Sequence, residues 1–150
     1  MHSVSPEKGS YLTSYIDPEN VYPDGTPIII PITPDDYAAR LDEIDEEISK
    51  HVKGKPLVHY SAYKLDEYGL PINNLHEKAI DGKAVVRLRH SGGGKDWESE
   101  VMHDPTWLDL TIVANQVIRL TRDYRHVYFE CFSVSESDDG IQRLSLFMGS

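Results

Sequence analysis

The chain has 150 residues, 39% of them hydrophobic and 27% charged, an ordinary balance for one globular domain. Its formal charge of −10 disfavours direct binding to a nucleic-acid backbone, which needs clustered Lys and Arg. A single cysteine excludes an intrachain disulfide and a cysteine-based metal cluster, and no apolar run approaches the ~20 residues that span a bilayer.

The N-terminus, MHSVSPEKGS, lacks a basic stretch followed by an apolar one, so no secretory signal is expected. Together with the lone cysteine, this points to a cytoplasmic protein, or to a mature chain from which a signal has been removed, with no membrane contact expected. Residues 1–32 read as an extended N-terminal arm. Pro18, Pro23, Pro27 and Pro31 forbid a helix there, and YPDGTP reads as a tight turn. One short strand is predicted, Ile28 to Ile30. Its isoleucines need cover, from the domain or from a second copy in a homo-oligomer.

Residues 33–150 read as a single α+β domain. The first helix has Thr33 as N-cap, Pro34 at its first position and Asp36 where a capping box wants an acid. Tyr37, Leu41, Ile44, Ile48 and Val52 recur at helical spacing and form its buried stripe. Gly54 is the expected terminator. A strand is predicted over residues 56–63. A long loop follows, DEYGLPINNLHEKAIDG, with a short helical turn over Leu75–Ile80.

The stretch HSGGGKDWESE, His90 to Glu100, resembles a phosphate loop only superficially. A Walker loop ends in Gly-Lys followed by Ser or Thr, whereas Asp96 follows Lys95 here and would repel phosphate. The alternation on either side predicts a hairpin instead. Its expected register sets Arg89 against Glu98, Arg87 against Glu100 and Val86 against Val101.

The second helix is predicted to start with Asp104 as N-cap and Pro105 inside it, and to end near Arg122. Leu110, Val113, Val117 and Leu120 make its stripe; Trp107, Ile112, Ala114 and Ile118 widen it. A helix this apolar should be central. The chain ends in a second hairpin, HVYFECFSVSES and IQRLSLFMG around DDG. The predicted fold is an antiparallel sheet of about five strands, two main helices packed on one face, and the N-terminal arm.

The histidines show no ligand spacing and no HExxH, so neither metal nor cofactor is expected. His126 and Cys131 lie an odd number of residues apart in one strand. They point to opposite faces and form no catalytic dyad. His126, Tyr128 and Glu130 are expected to share a strand face, and mark where a small-molecule pocket would sit. Ordinary cross-strand pairs at a sheet surface are the favoured reading of them.

The acids of the first helix form the densest charge run: Asp35, Asp36, Asp42, Glu43, Asp45, Glu46 and Glu47. A solvated helix face is the plain reading. The functional reading is a docking surface for a basic protein, as in an inhibitor, immunity or accessory protein. The alternatives are a small-molecule-binding or enzymatic domain with its pocket near His126, and a structural subunit that wraps its arm over a neighbour.

Overall fold

A turn at Asp139 and Gly140, where Gly140 takes φ +78°, folds Tyr128–Ser135 and Gln142–Gly149 into an antiparallel pair. Glycine reaches that dihedral without steric cost. The protein is described here by a computed structural model covering residues 2–4, 14–31, 34–89, 96–135 and 139–150. Its elements are β1 (His2–Val4), β2 (Ser14–Val21), β3 (Pro27–Pro31), α1 (Pro34–Ser49), β4 (His59–Tyr60), β5 (Lys64–Leu65) and β6 (Pro71–Ile72). Then come β7 (Lys83–Leu88), β8 (Trp97–Glu98), β9 (Met102–His103), α2 (Trp107–Thr121), β10 (Tyr128–Ser135) and β11 (Gln142–Gly149).

The main sheet runs β1-β10-β11-β7-β8. β4 extends one edge of it by pairing with β10 beyond β1, and β9 extends the other by pairing with β7. The sheet is mixed, not antiparallel as predicted. β4 pairs with β10 in parallel, and so does β7 with β11. Turn signals reveal only neighbouring strands, which pair antiparallel. Parallel pairs need long crossovers, and here each crossover contains α2.

The N-terminal strand β1 pairs with β10, so the first residues join this chain's own sheet. β2 and β3 form a separate antiparallel pair around the predicted YPDGTP turn. The predicted N-cap, Thr33, lies outside the described residues. The segment predicted as one strand over 56–63 pairs with the sheet only at His59 and Tyr60. Residues 75–80 form turns and a bridge from Lys78 to Thr106, not the helical turn expected.

The first hairpin forms, but its register differs from the prediction by two residues. Arg87 faces Glu98, and Leu88 faces Trp97. The local cause is Ser99. Its Oγ accepts the Val86 N–H at 2.8 Å, and its own N–H donates to Val86 O at 2.9 Å. Arg87 then pairs with Asp96 at 2.7 Å instead of Glu100, and Val101 is exposed. A two-residue slip preserves side-chain parity, so Val86 and Leu88 still face the core side. The loop His90–Lys95 lies outside the described residues.

One core unites the helices and the sheet. Ile44 and Ile48 of α1 join Leu110, Ala114 and Ile118 of α2 against Val86, Phe129, Phe132, Val134 and Leu144. Trp107 sets its ring 6.0 Å from Phe129 and 5.4 Å from Phe132, centroid to centroid. Burying each such aromatic contributes roughly 1.5–3 kcal/mol. Leu120, expected in the buried stripe, is instead exposed at the end of the helix.

The start of α2 also differs from the prediction. Thr106, not Asp104, is the N-cap. Its Oγ1 accepts the Asp109 N–H at 3.1 Å, and Asp109 Oδ2 accepts the Thr106 N–H at 2.9 Å. This reciprocal box satisfies two helix-end donors, which a single Asp104 carboxylate could not do. Asp104 sits at φ 46° and hydrogen-bonds the Gly82 N–H, tying the helix entry to β7.

Candidate functional site

A helix turns 100° per residue, so the buried residues of α1 fix where its acids point. Ile44 and Ile48 face the core. Asp35, Asp42 and Glu46 lie on the opposite, solvent side. Asp36, Glu43 and Glu47 lie on one flank, and Asp45 alone on the other. The seven acids therefore do not make a single face. They wrap around the outer half of the helix.

Asp35, Asp42, Glu43 and Glu46 are exposed and make no ion pair among the described residues. Glu47 differs. It is half-buried, with His76 Nε2 at 2.9 Å, His51 Nε2 at 3.5 Å and Lys50 Nζ at 3.7 Å. The His76 hydrogen bond holds its carboxyl below the ordinary Glu range. Asp45 borders a cleft of about 210 Å³ with Ile48, Val58 and His59. Desolvation there raises its carboxyl above the ordinary Asp range; His59 opposes the shift and Asp42 adds to it.

The Asp36–Glu43 flank borders a groove of about 380 Å³. Across it stands the β5–β6 hairpin, which contributes Asp66, Tyr68 and Leu70. That wall is shaped by a tight turn. Asp66 Oδ1 accepts the N–H groups of Tyr68 and Leu70, each at 2.9 Å, and Gly69 takes φ 78°. A hydrogen bond of 2.5 Å between the Tyr37 and Tyr63 hydroxyls holds the helix against this region. Arg40 also lines the groove and is the one base in α1.

The second predicted cluster spans a turn and the start of β10. His126 lies in a turn before β10, where its Nδ1 is 2.8 Å from Asp123 Oδ2. That bond holds the Asp123 carboxyl below its ordinary value. Tyr128 stacks on His59 with 5.0 Å between ring centroids. Glu130 sits at a bulge between Phe129 and Cys131, its carboxylate lying over Gly149. Tyr128 and Glu130, on either side of the buried Phe129, are both exposed, and the Glu130 carboxylate lies at Gly149, the residue opposite Tyr128. Of the cluster, His126 borders a cleft of about 290 Å³.

That cleft arises where two parallel strands part. β7 and β11 pair from Gln142–Ala84 to Leu144–Val86 and no further. Leu88 and Leu146 then form opposing walls, and Val117 and Ile118 of α2 close the space between them. Asp123 was missed as a site residue in the sequence. Its three-residue spacing from His126, just past the helix end, was the available signal.

No family model, no curated protein and no solved structure matches this chain. Its own geometry therefore carries the functional reading. Among the described residues, no group of three or more His, Cys, Asp or Glu could hold a metal ion. No helix there is long and apolar enough to cross a membrane. Burial raises the Cys131 thiol above its ordinary value, and Glu130 adds to the shift, so its thiolate is disfavoured.

Proposed function

We propose that this protein is a small acidic docking protein, an inhibitor, immunity or accessory protein, that binds a basic protein through α1. One observation carries the reading. Asp35, Asp42, Glu43 and Glu46 stand exposed on a helix anchored by its other side, without an ion pair among the described residues.

The arrangement costs the isolated chain. Asp42 and Glu46 are like charges four residues apart, as are Glu43 and Glu47. Each such pair destabilises a helix by roughly 0.2–0.5 kcal/mol. A cationic partner would relieve that repulsion. The groove beside Glu43 suits one basic side chain: Leu70 and the Tyr68 ring can pack its aliphatic stem while the Glu43 carboxylate meets its head. The reading places the protein in the cytoplasm, where its one cysteine stays reduced. It assigns the chain no catalytic step and no cofactor.

The test is affinity capture from native extract with three immobilised chains. These are the wild type, the triple reversal Asp42→Lys/Glu43→Lys/Glu46→Lys, and a control reversal Glu67→Lys/Glu77→Lys/Glu100→Lys elsewhere. The proposal expects a basic protein retained by wild type and control and lost on the helix reversal. Equal retention by all three chains would sink it.

A further inference from the structure

We infer that the cleft between β7, β11 and α2 binds a small apolar carboxylic acid. This site is separate from the acidic helix, and its occupant has the opposite charge preference.

The walls set the apolar part. Val86, Leu88, Val117, Ile118, Leu146 and Met148 line the cleft. Its roughly 290 Å³ corresponds to about ten waters at about 30 Å³ each, near the lower end of ligand-pocket sizes. A body of five to ten carbons is the right scale. Past Leu144 and Val86 the two strands part: Arg87 and Leu88 pair with Glu98 and Trp97 of β8, and Ser145 and Leu146 with Ser133 and Phe132 of β10, which opens the space between them.

The rim sets the charge. Arg89 borders the cleft, is exposed, and makes no ion pair among the described residues. Arg87 is already held by Asp96 through its Nε at 3.1 Å and Nη2 at 2.7 Å. Asp123 occupies His126 Nδ1, leaving Nε2 as the polar ring atom without a hydrogen bond among the described residues. With Nδ1–H given to Asp123, Nε2 of a neutral imidazole is an acceptor, so the free Arg89 guanidinium at the mouth of an apolar cleft is the group that suits a carboxylate.

Two features oppose an anion. The C-terminal end of α2 carries the negative pole of the helix, and Asp123 is itself negative. Both are answered in part locally. The Val117 carbonyl accepts the Thr121 hydroxyl at 2.9 Å, the Ile118 carbonyl accepts the Arg122 N–H at 2.8 Å, and His126 faces Asp123. Arg89 is the charge left over, and it decides the sign.

The experiment titrates the full chain with hexanoate and phenylacetate, and with their neutral counterparts 1-hexanol and 2-phenylethanol. Backbone-amide NMR shifts locate the binding, and calorimetry gives its strength. The expected result is that the acids shift the amides of Leu88, Ile118 and Leu146 and bind more tightly than the alcohols. Arg89→Gln, an exposed substitution that leaves the core untouched, should weaken the acids about tenfold, the size of one lost charge-assisted hydrogen bond. It should leave the alcohols unchanged. The inference is overturned if neither acid binds, if the shifts map elsewhere, if the alcohols match the acids, or if Arg89→Gln leaves acid affinity intact.

Discussion

His76 Nε2 lies 2.9 Å from Glu47 Oε1, so one carboxylate of the acidic helix is already matched within the chain. The same carboxylate receives His51 and Lys50. Glu47 is thereby a structural acid, unlike Asp42, Glu43 and Glu46 around it. It fastens the end of α1 to the loop after β6.

A pH dependence follows from that pairing. Glu47 is held below the ordinary Glu range by His76. A lowered carboxyl favours the fold above the unfolded value of about 4.3, and its contribution is lost as the pH falls through the lower folded value. Glu47→Gln should therefore destabilise the protein at neutral pH and match the wild type once the pH is below that value. Denaturant unfolding across pH 7 to about 2.5 reads the convergence. A constant gap between the two chains would contradict it.

A second prediction concerns Asn115, a buried polar residue on α2. Its Oδ1 accepts the N–H of Leu57 at 2.7 Å and of Val58 at 3.2 Å. It thus satisfies the backbone that leads from α1 into β4. Asn115→Leu keeps the size but strands both donors. The expected cost is about 1–3 kcal/mol per unsatisfied group, read as a fall in denaturant midpoint. A change under about 0.5 kcal/mol, the size of a neutral surface substitution, would contradict the role.

Tyr60 supplies the third. Its buried hydroxyl donates toward Asn74 Oδ1 at 2.7 Å and Ala62 O at 3.1 Å, and Asn74 Nδ2 donates to Ala62 O at 3.0 Å. Burial raises its pKa far above the ordinary tyrosine value. A raised acid stays neutral in the fold, so its contribution is complete below about pH 10 and falls as the pH rises beyond it. Tyr60→Phe should cost about 1–3 kcal/mol at neutral pH, because Asn74 loses its donor. In the wild type, one tyrosine should ionise only on unfolding in a spectrophotometric alkaline titration.

The capping box of α2 gives the fourth. Thr106→Ala removes the acceptor for the Asp109 N–H. A cost of about 1 kcal/mol is expected, within the 0.5–2 kcal/mol range of such caps. Thr106→Ser should restore most of it. Asp104→Ala acts on a different contact, the Gly82 N–H, so its effect should add to that of Thr106→Ala.

Local patterns made the helices and two of the hairpins legible before any coordinates. The α1 core residues Ile44 and Ile48, and Leu110, Val113 and Val117 of α2, stand out by spacing alone. What stayed hidden was non-local or local competition. Asp104 and Thr106, two residues apart, each satisfy the N-cap residue preference, and the Asp109 side chain settles the choice. Arg87 has Asp96, Glu98 and Glu100 within reach, and Ser99 decides the register. The parallel pairs need partners far apart in sequence, which no local pattern records. Of the candidate sites, the acidic helix was readable because charge runs are local. The cleft was not, since it forms where β7 and β11 part and uses Asp123 and Arg89 from different elements.

The most direct test of the docking role is calorimetric titration of the isolated basic partner into wild type and into the Asp42→Lys/Glu43→Lys/Glu46→Lys chain, over a range of salt. Binding driven by exposed charge weakens steeply as ionic strength rises from about 0.1 M to about 1 M, where the Debye length shrinks from roughly 10 Å to roughly 3 Å. That steep dependence is expected for wild type, and no measurable binding for the reversed chain, with both chains folded. Salt-insensitive binding, or equal affinity of the two chains, would contradict the docking role.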